Sequence, residues 1–585
     1  MSDSSPNKQS EVTSIPLVGD IGLCMSGGGY RAAAFHLGTL AYLQHLDLSR
    51  QIKALSTVSG GTFTGAKYVI SLVEGQEFKL FFDVYYQSLK MSNLVADGLH
   101  ELSEQDAQVA SGRQDLIVSM AQVYADTFFS KTDAKGNPGE PYYFDTILNG
   151  DQPINDLIFN ATDFRSGIAF RFQRSDNTQA LIGNFYNHID KEDAAKIRLA
   201  DIVAASSCFP GGFEPLSFPY DFSWQGGEIP VKVRDGFPFE RCDDDSANPQ
   251  GPVGLMDGGV FDNQGLQSLL MADERSGYSL DLLVISDADQ PSLELYEMPN
   301  PGNNGGLSLN TIGKLALAFV ILSVVSLFTI GFYAWQEFVA TPLQWEKLIF
   351  LYLIPFVLTT AAASSVWYVY SAVRDDVLPH IPLVGDRAWA SLKRLRIGQI
   401  RNMLKLRITS LLALTSSIFM KRIRNMVFGL AYGKDNSKFE GKRVSNLIYT
   451  LAPSKTQNGL VQGVTKPSEL LSQIACVAFN QKTTLWFDQN YQQPCLIAAG
   501  QASLCYNMIK LFSRRYGNDS SVYPVDVKIM WDRLEADWVA FNLDPFFMLK
   551  ETVTEDWPTI EKSALKIKCN WGMFSGEIPL LSVSN

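Results

Sequence analysis

Short apolar runs that stop at small or polar residues recur through the first half of the chain. Ile21–Met25 is such a run, and after the glycines at 27–29 the segment Tyr30–His45 has apolar and small residues at helical spacing. Ile52–Leu55 is the next run, and a turn of serines and glycines separates it from a segment that can begin a helix at Thr62. Two successive strand–turn–helix units predict βα units and a mainly parallel sheet.

Further elements of the same kind follow. Asp156–Asp163 predicts a strand that ends in polar residues, and the alternation in Ile168–Phe172 predicts a strand of an antiparallel pair. Leu199–Ser207 predicts a short helix of small residues, Leu255–Asn263 an apolar approach to an acidic turn, and Leu282–Asp287 a buried strand. These patterns predict one α/β domain over about residues 19–297, with loop-rich helices inside it.

Two long apolar runs, 315–335 and 348–370, follow a linker at 298–306 that is rich in proline, glycine and asparagine. Each run has no charged residue and about twenty residues, which is long enough to cross a bilayer. Aromatic residues such as Trp335 and Trp367 lie at the run ends, as in membrane interface belts. The runs predict a transmembrane helical hairpin within 298–385, and the alternative is a pair of buried core helices.

Residues 386–435 form a basic segment around a shorter apolar piece, Ile408–Met420. Basic ends around a short apolar run favour helices that lie in the interface of an anionic membrane. The alternatives are a solvated basic face and a site for an acidic partner. Positive charge beside the hairpin predicts a cytoplasmic location for both ends of the hairpin and for the domain before it. The basic residues are Lys393, Arg394, Arg396, Arg401, Lys405, Arg407, Lys421, Arg422 and Arg424.

Composition narrows the classes of protein. The 585 residues, 46% hydrophobic and 19% charged, predict a folded chain of several domains or one large domain with insertions. A net charge of −12 argues against a nucleic-acid partner. The seven cysteines form no CxxC pair and no Cys/His cluster with metal spacing, which favours free thiols in a reducing compartment and gives no metal site. The polar Met1–Glu11 lacks the apolar core of a secretory signal.

Ser59 is the candidate nucleophile. It lies between the end of a predicted strand and the start of a predicted helix, which is the setting of a nucleophile elbow. The sharp turn requires small residues two positions before and after the serine, and Gly61 meets this requirement. Thr57 departs from the usual glycine. The alternative is a glycine-rich surface turn.

Asp257 is the candidate base. Of the five histidines, only His380 follows Asp257, and it lies just beyond a predicted membrane helix, so a triad in the usual order fits poorly. Asp257 stands at a predicted strand end before two glycines, where its carboxylate can act directly on the serine. The alternative is an ordinary Asp-Gly turn.

Gly27, Gly28 and Gly29 are the candidate oxyanion-hole donors. Without side chains, their N–H groups can approach an oxyanion, and the helix start that follows them favours negative charge. A nucleotide site is the alternative, but the spacing is not GxGxxG and no Lys-Ser/Thr follows. Arg31 is a candidate substrate-binding residue that either orients a phosphate-bearing substrate or simply packs.

Three motifs occur in order: Gly27-Gly28-Gly29-Tyr30-Arg31, then Val58-Ser59-Gly60-Gly61, then Asp257-Gly258-Gly259. In these motifs the chain resembles the patatin-like phospholipase family over about residues 19–290. Asn160–Asp163 and Ala204–Pro210 also resemble the family, and Lys482–Gly500 faintly resembles the closing part of its domain. Thr57 for glycine and Gly259 for the common alanine depart from the strictest pattern, and both substitutes are small.

The resemblance implies a patatin-like α/β sheet with flanking helices, interrupted by the inserted transmembrane hairpin. It implies a Ser59–Asp257 dyad without metal or cofactor that releases fatty acids from phospholipids or lysophospholipids at an anionic membrane surface. A neutral acylglycerol lipase, a non-catalytic lipid-binding protein and a transporter built on the hairpin are alternatives. The predicted segments are a tail (1–18), the catalytic domain (19–297), the linker and hairpin (298–385), the basic helices (386–435), the closing part (436–512) and an unassigned region (513–585).

Overall fold

The computed structural model describes most of the chain, in two compact units. Met1–Leu295 and Leu414–Asn585 form the sheet unit, and Tyr296–Ala413 form the helical unit. Residues 1–17 of the predicted tail, most of the linker and the boundary at residue 386 lie outside the described residues, and the predicted domain boundaries stay predictions. The described residues are 18–104, 115–132, 138–238, 251–278, 280–290, 305–340, 346, 348–372, 394–432, 439, 441–457, 464–569 and 571.

Ten strands of the sheet unit form one sheet, and two short strands form a separate pair. The predicted runs become strands because their apolar residues are buried on both faces, as a sheet covered by helices requires. The strands are β1 (Ile21–Met25), β2 (Ile52–Val58), β3 (Ser130–Thr132), β4 (Pro138–Pro141), β5 (Asp156–Asp163), β6 (Ile168–Arg174), β7 (Ile182–Gly183), β8 (His188–Ile189), β9 (Leu216–Phe218), β10 (Val253–Asp257), β11 (Leu282–Asp287) and β12 (Arg443–Leu447).

The sheet has a parallel centre and antiparallel strands on one side. Its order is β12-β11-β1-β2-β5-β6-β7-β8, and β10 pairs with β5 and β9. The five strands from β12 to β5 are parallel, whereas β6 to β10 join in antiparallel pairs. The prediction of a mainly parallel sheet therefore holds only for the centre, because hairpin connections after β5 return the chain in the opposite direction.

Two strands share one edge of β5. Val58 of β2 pairs with Asn160 in parallel register, and Asp257 of β10 pairs with Ala161 in antiparallel register. Because β6 occupies the other edge of β5 along Leu157–Asp163, β2 and β10 must lie end to end on the same edge. The last residues of β2 and β10 are thus neighbours although they are far apart in sequence.

Helices cover the sheet and extend beyond it. In the sheet unit they are α1 (Gly29–His45), α2 (Gly60–Val73), α3 (Phe78–Met91), α4 (Leu94–Glu104), α5 (Leu116–Phe128), α6 (Phe144–Asn149), α7 (Lys191–Ala194), α8 (Leu199–Ser207), α9 (Val231–Gly236), α10 (Gly259–Asp262) and α11 (Leu266–Ser276). The helical unit adds α12 (Leu309–Ala340), α13 (Ile354–Ala372) and α14 (Ile397–Ala413). The sheet unit resumes with α15 (Met420–Tyr432), α16 (Pro453–Gln457), α17 (Glu469–Phe479), α18 (Gln492–Tyr516), α19 (Val525–Leu543), α20 (Phe547–Thr552) and α21 (Trp557–Leu565).

The helices α1 and α18 pack closely at two glycines. A side chain on Gly38 would overlap the carbonyl group of Ile497, and one on Gly500 would overlap the carbonyl group of Phe35. Glycines at both positions let the helix backbones approach, and Asn446 of β12 donates to the Gly500 carbonyl (3.1 Å) at the same crossing. The region after residue 436 therefore completes the sheet and its helical cover.

Among the described residues, two helices are long and apolar enough to cross a membrane, Asn310–Gln336 and Gln492–Tyr516. The first, within α12, confirms the helix predicted at 315–335, and only 11% of its most apolar window is buried. The second is 89% buried and belongs to the core of the sheet unit.

The second predicted run, 348–370, differs from expectation. A π-helix over Leu348–Leu353 precedes α13, and the apolar helical part, Ile354–Tyr368, is shorter than a full span. The change falls directly before Pro355, which has no amide hydrogen with which to continue an α-helix. The hairpin itself packs through a hydrogen bond from the Ser323 hydroxyl to the Thr359 hydroxyl (2.9 Å).

Within the region 513–585, unassigned from sequence, the described residues contribute to the core of the sheet unit. Trp531 and Trp538 of α19 are buried there. The expectation of free thiols is wrong for Cys476 and Cys569, which form a disulfide across 93 residues. Sequence spacing gave no sign of it, because the end of α17 and the segment after α21 meet only in the fold. Cys24, Cys208, Cys495 and Cys505 are buried free thiols.

Candidate active site

Ser59 occupies a strained turn between β2 and α2. Its backbone has φ 51° and ψ −120°, a left-handed conformation that is rare for a residue with a side chain. Gly60 lies against the backbone of Gly29, and a side chain on Gly61 would come within 2.5 Å of the Met25 carbonyl oxygen. The elbow is therefore fixed against the glycine turn, with only 8% of Ser59 exposed.

Thr57, the departure from the usual glycine, is accommodated by a glycine elsewhere. A side chain on Gly65 of α2 would meet the Thr57 methyl carbon at 2.6 Å, so the space that Thr57 fills comes from the facing helix. The Thr57 hydroxyl also forms a hydrogen bond with the Thr62 hydroxyl (3.0 Å). The elbow thus keeps its geometry with a larger residue in the strand.

Asp257 ends β10 directly beside the elbow. Its backbone amide donates to the Cys208 carbonyl (2.8 Å), and its carbonyl accepts a hydrogen bond from the Thr162 hydroxyl (2.9 Å). The Gly259 amide donates to the carboxylate (2.7 Å). A side chain on Gly258 would overlap the Asn160 carbonyl group, which explains why glycine follows the aspartate.

The environment of Asp257 suits a general base. Its burial raises the pKa to about 6, while hydrogen bonds from the Gly259 amide and from the Ser59 side chain partly offset this rise. With 2% of the residue exposed, the carboxylate is screened from bulk water. A carboxylate with this pKa is ionised at neutral pH and is a stronger base than an exposed one.

Ser206, at the end of α8, ties the two catalytic candidates together. Its hydroxyl accepts from the Ser59 amide (3.0 Å) and donates to the Asn160 carbonyl (2.7 Å). Its carbonyl accepts from the Gly258 amide (3.3 Å). One residue therefore holds the turn after β2, the middle of β5 and the turn after β10.

The glycine turn lies next to Ser59, but its three amides are not equivalent. The Gly27 amide donates to the Asn263 carbonyl (3.0 Å), and the predicted role of Gly27 as an oxyanion donor stays a prediction. Gly28 (φ 139°) and Gly29 (φ 57°) have left-handed backbones, and no acceptor among the described residues takes either amide hydrogen. A side chain on Gly27 would come within 3.1 Å of the Ser59 Cβ, which brings the turn to the nucleophile.

Arg31 is buried beside the glycine turn. Its Nη1 donates to the Gln481 carbonyl (3.1 Å), and its Nη2 lies 3.8 Å from an Asp289 carboxylate oxygen. Its Nε has no hydrogen-bond partner among the described residues, and a side chain on Gly28 would lie 3.8 Å from that nitrogen. The two Nη atoms of the guanidinium thus contact the protein, whereas the Nε–H group lies beside the glycine turn.

Part of the predicted membrane-facing basic segment packs against the site. Arg424 of α15 is 4% exposed and donates to Asp287 (2.7 Å), and Lys421 lies 3.2 Å from Asp289. These two side chains thus pair with carboxylates of the sheet unit, and the predicted membrane-facing role of the basic segment stays a prediction. The Met420 methyl group would meet a side chain on Gly259 at 2.9 Å, so the start of α15 covers the turn after Asp257.

The sequence profile described as patatin-like phospholipase matches residues 23–270, which include the glycine turn, the Ser59 elbow and Asp257. The chain carries a patatin-like phospholipase domain. Within this patatin-like domain, the fold predicted from the resemblance, an α/β sheet with flanking helices, is confirmed.

Comparison with solved structures adds two distant likenesses. Human GIVD cytosolic phospholipase A2 is 15% identical, with a TM-score of 0.29 over 49% of this chain and 48% of that one, about half of each. VipD from Legionella pneumophila is 12% identical, with a TM-score of 0.22 over 90% of this chain and 92% of that one. These scores are too low to carry an argument. No curated protein sequence matches the chain.

Sequence reasoning missed the residues that hold the patatin-like site in place. Ser206 and Asn160 lie in segments that carried the resemblance, but nothing in their spacing indicated their contacts. The Asn160 side-chain amide donates to the Ser56 hydroxyl and to the Thr57 carbonyl (both 2.9 Å). Asn263 was visible only as the end of the acidic turn. An Asn or Ser next to a small-residue run at a strand or helix end is the signal that could have marked them.

Proposed function

We propose that this chain is a membrane-anchored serine lipid acyl hydrolase that releases fatty acids from phospholipids or lysophospholipids. The patatin-like domain supports an acyl hydrolase. The observation that carries the proposal is the shared edge of β5, since Val58 and Asp257 pair there with consecutive residues. A buried carboxylate of raised pKa then faces a serine in a strained elbow, which is what direct activation of a hydroxyl needs.

The first half of the reaction forms an acyl-enzyme. Asp257 takes the hydroxyl proton of Ser59 as its oxygen attacks the ester carbonyl carbon. The amides of Gly28 and Gly29 then hold the resulting oxyanion, with the start of α1 behind them. As the tetrahedral intermediate collapses, Asp257 returns the proton to the leaving alcohol, and the acyl group stays on Ser59.

The second half releases the fatty acid. Asp257 takes a proton from a water molecule, and the resulting hydroxide attacks the acyl carbonyl through the same oxyanion donors. Collapse expels the Ser59 oxygen, which recovers its proton from Asp257. One water is consumed, one ester bond is broken, and the enzyme returns to its starting protonation state.

Arg31 supports a phospholipid over a neutral substrate. Its free Nε–H beside Gly28 is a charged donor in a buried setting, where a hydrogen bond to a phosphate oxygen is strong. We expect Arg31→Gln to lower hydrolysis of a phospholipid more than hydrolysis of a diacylglycerol with the same acyl chains. The ratio of the two rates removes any shared loss from folding, and an unchanged ratio would assign Arg31 to packing alone.

The membrane anchor is the apolar pair α12 and α13, and the proposed location of the sheet unit is the cytoplasmic side. The length and composition of Asn310–Gln336 support a span, and the basic residues of α14 support the orientation. Alkaline carbonate extraction of membranes tests the anchor. Retention in the membrane pellet is expected, and release into the soluble fraction would remove the anchor from the proposal.

Labelling with a fluorophosphonate probe tests the chemistry. The wild-type protein should be labelled, Ser59→Ala should not be, and Asp257→Asn should be labelled at least about a hundredfold more slowly, as loss of a general base predicts. Ser71→Ala, in the same helix region and outside the site, is the matched control and should label normally. Labelling that persists in Ser59→Ala would contradict the assignment of the nucleophile. Lipid profiling of the wild type against Ser59→Ala then identifies the lipid class.

A further inference from the structure

The exposed aromatic side chains in the described part of the sheet unit are few, and all lie next to segments that contact the end of β5 or the turn at Asp257. Among its described residues, the exposed Phe, Tyr and Trp side chains number five. Large aromatic surfaces are costly to leave in water, so their location carries information about what covers them. They are Phe164, Phe185, Tyr186, Phe209 and Phe419.

Phe164, Phe185 and Tyr186 belong to two loops that the Asp163 carboxylate holds together. The side-chain amides of Asn184 and Asn187 both donate to Asp163 Oδ2, at 3.0 and 3.3 Å. The other oxygen of Asp163 accepts from the amides of the loop that carries Phe164. The loops are therefore built to a fixed shape with the aromatic side chains outside.

Phe209 and Phe419 flank the catalytic aspartate. The residue before Phe209 accepts the Asp257 amide through its carbonyl (2.8 Å). The residue after Phe419, Met420, covers Gly259. Phe209 and Phe419 thus lie next to residues that contact Asp257 or the turn after it. The other three aromatic residues lie on loops that contact Asp163, the last residue of β5.

The aromatic group lies beyond the carboxyl ends of the parallel strands, where Ser59 also lies. Phe164 follows Asn160, the partner of Val58, by four residues, which is roughly 13 Å along an extended strand. Exposed arginines stand beside two of the aromatic residues, Arg165 next to Phe164 and Arg422 close to Phe419. Aromatic rings with neighbouring arginines suit the boundary between lipid headgroups and acyl chains of an anionic bilayer.

We infer that this aromatic rim, Phe164, Phe185, Tyr186, Phe209 and Phe419, is a docking surface for the lipid bilayer and delivers lipid to the buried dyad. This inference rests on the proposed function. A membrane lipid must leave the bilayer to reach a serine that is 8% exposed, and rings inserted at the entrance shorten that path through water. The rim residues belong to the sheet unit, whereas the proposed anchor belongs to the helical unit.

A depth measurement on the full-length protein in liposomes tests the surface directly. Phe185→Cys is labelled with an environment-sensitive fluorophore, and acyl-brominated phosphatidylcholine with phosphatidylserine supplies the quencher. Val525→Cys is the matched control, since the two positions are 80% and 76% exposed. Val525 lies shortly after Arg515 in the chain. The Arg515 guanidinium pairs with Asp281 (3.2 Å), which directly precedes β11, so the control position lies at the opposite ends of the strands from the rim. Quenching at residue 185 alone is expected; equal quenching, or none at residue 185, would overturn the inference.

A comparison of two substrates supplies the second test. In the triple variant Phe164→Ser, Phe185→Ser and Tyr186→Ser, hydrolysis of phospholipid in vesicles should fall about tenfold or more, while hydrolysis of a monomeric short-chain ester should not change. An equal fall for both substrates would mean a structural role. Unchanged vesicle activity would mean that another partner, such as a protein, covers the rim.

The two proposals fail in different ways. A wild-type protein that hydrolyses neither substrate contradicts the proposed function. The quenching result still decides whether the rim meets the bilayer, because it needs no catalysis.

Discussion

Asp257 is the proposed base, and its burial has opposite effects on its basicity and on the stability of the fold. Burial raises its pKa to about 6, from an ordinary value of 3.8. The folded state therefore favours the protonated form, and the stability contributed by this group is lost as the pH rises from the ordinary value through 6. The same rise makes the carboxylate a better base once it is ionised. Burial of Asp257 therefore lowers the stability of the folded state at neutral pH and increases the basicity of its carboxylate.

Hydrolysis should depend on the ionised form of Asp257. We expect kcat/KM for a soluble ester to rise with pH through an inflection near 6 and to level off above it, because only the carboxylate can take the Ser59 proton. Asp262 also has a pKa raised to about 6 by burial, so it is the necessary control. The inflection should remain in Asp262→Asn. If the inflection disappears in that variant, it reports the titration of Asp262 and not of Asp257.

The pairing of Thr57 with Gly65 makes a second residue-level prediction. Gly65→Ala should lower the free energy of unfolding by about 1–3 kcal/mol, since the new methyl group would lie 2.6 Å from the Thr57 methyl carbon. Thr57→Ser removes that methyl carbon and keeps the hydroxyl, so the double variant should recover most of the loss. Urea denaturation followed by tryptophan fluorescence measures both. A double variant no more stable than Gly65→Ala would contradict the pairing.

At the scale of elements, β5 is the strand that assembles the site, because β2 and β10 meet end to end on its one edge. The sequence predicted β2, β5 and the elbow, whose signals are local: apolar runs, glycines and a serine at fixed spacing. It could not predict that β10 runs antiparallel to β5 or that Asp257 faces Ala161. Such pairing is a contact between distant segments, and no local pattern of either strand encodes it.

The basic helix α15 illustrates the same limit. Lys421 and Arg424 are three residues apart and share one face of the helix, whereas Arg422 lies on another. The sequence shows these positive charges but does not show which carboxylates pair with them, because Asp287 and Asp289 lie far earlier in the chain. Gly27 is a similar case, because the acceptor of its amide, Asn263, is distant in sequence.

Arg424 and Arg422 offer a matched test at this scale. Arg424→Gln should lower the free energy of unfolding by about 3–5 kcal/mol, because it leaves the buried Asp287 carboxylate without its cation. Arg422→Gln, at an exposed position two residues away, should change it by no more than about 0.5 kcal/mol. Urea midpoints of the two variants measure the difference, and similar midpoints would mean that the ion pair does not hold α15.

For the whole molecule, the crossing of α1 and α18 joins the two parts of the sheet unit that the helical unit separates in sequence. Gly500→Ala should destabilise the unit by about 3 kcal/mol or more, since the new methyl group would overlap the backbone of Phe35, which cannot move aside. Gly441→Ala, with no atom within 4 Å of the new methyl group, is the control and should be nearly neutral. Thermal unfolding of both variants distinguishes them, and equal melting temperatures would contradict the close crossing.

The contacts of the glycine turn have a consequence for the order in which the protein is made. The Tyr30 amide donates to the Thr484 carbonyl (2.8 Å), and a side chain on Gly29 would come within 2.5 Å of that same oxygen. A ribosome completes the apolar helix α12 well before it reaches residue 484, so the turn lacks this support while α12 emerges. The glycine turn therefore gains this contact only after the apolar helix α12 has been made.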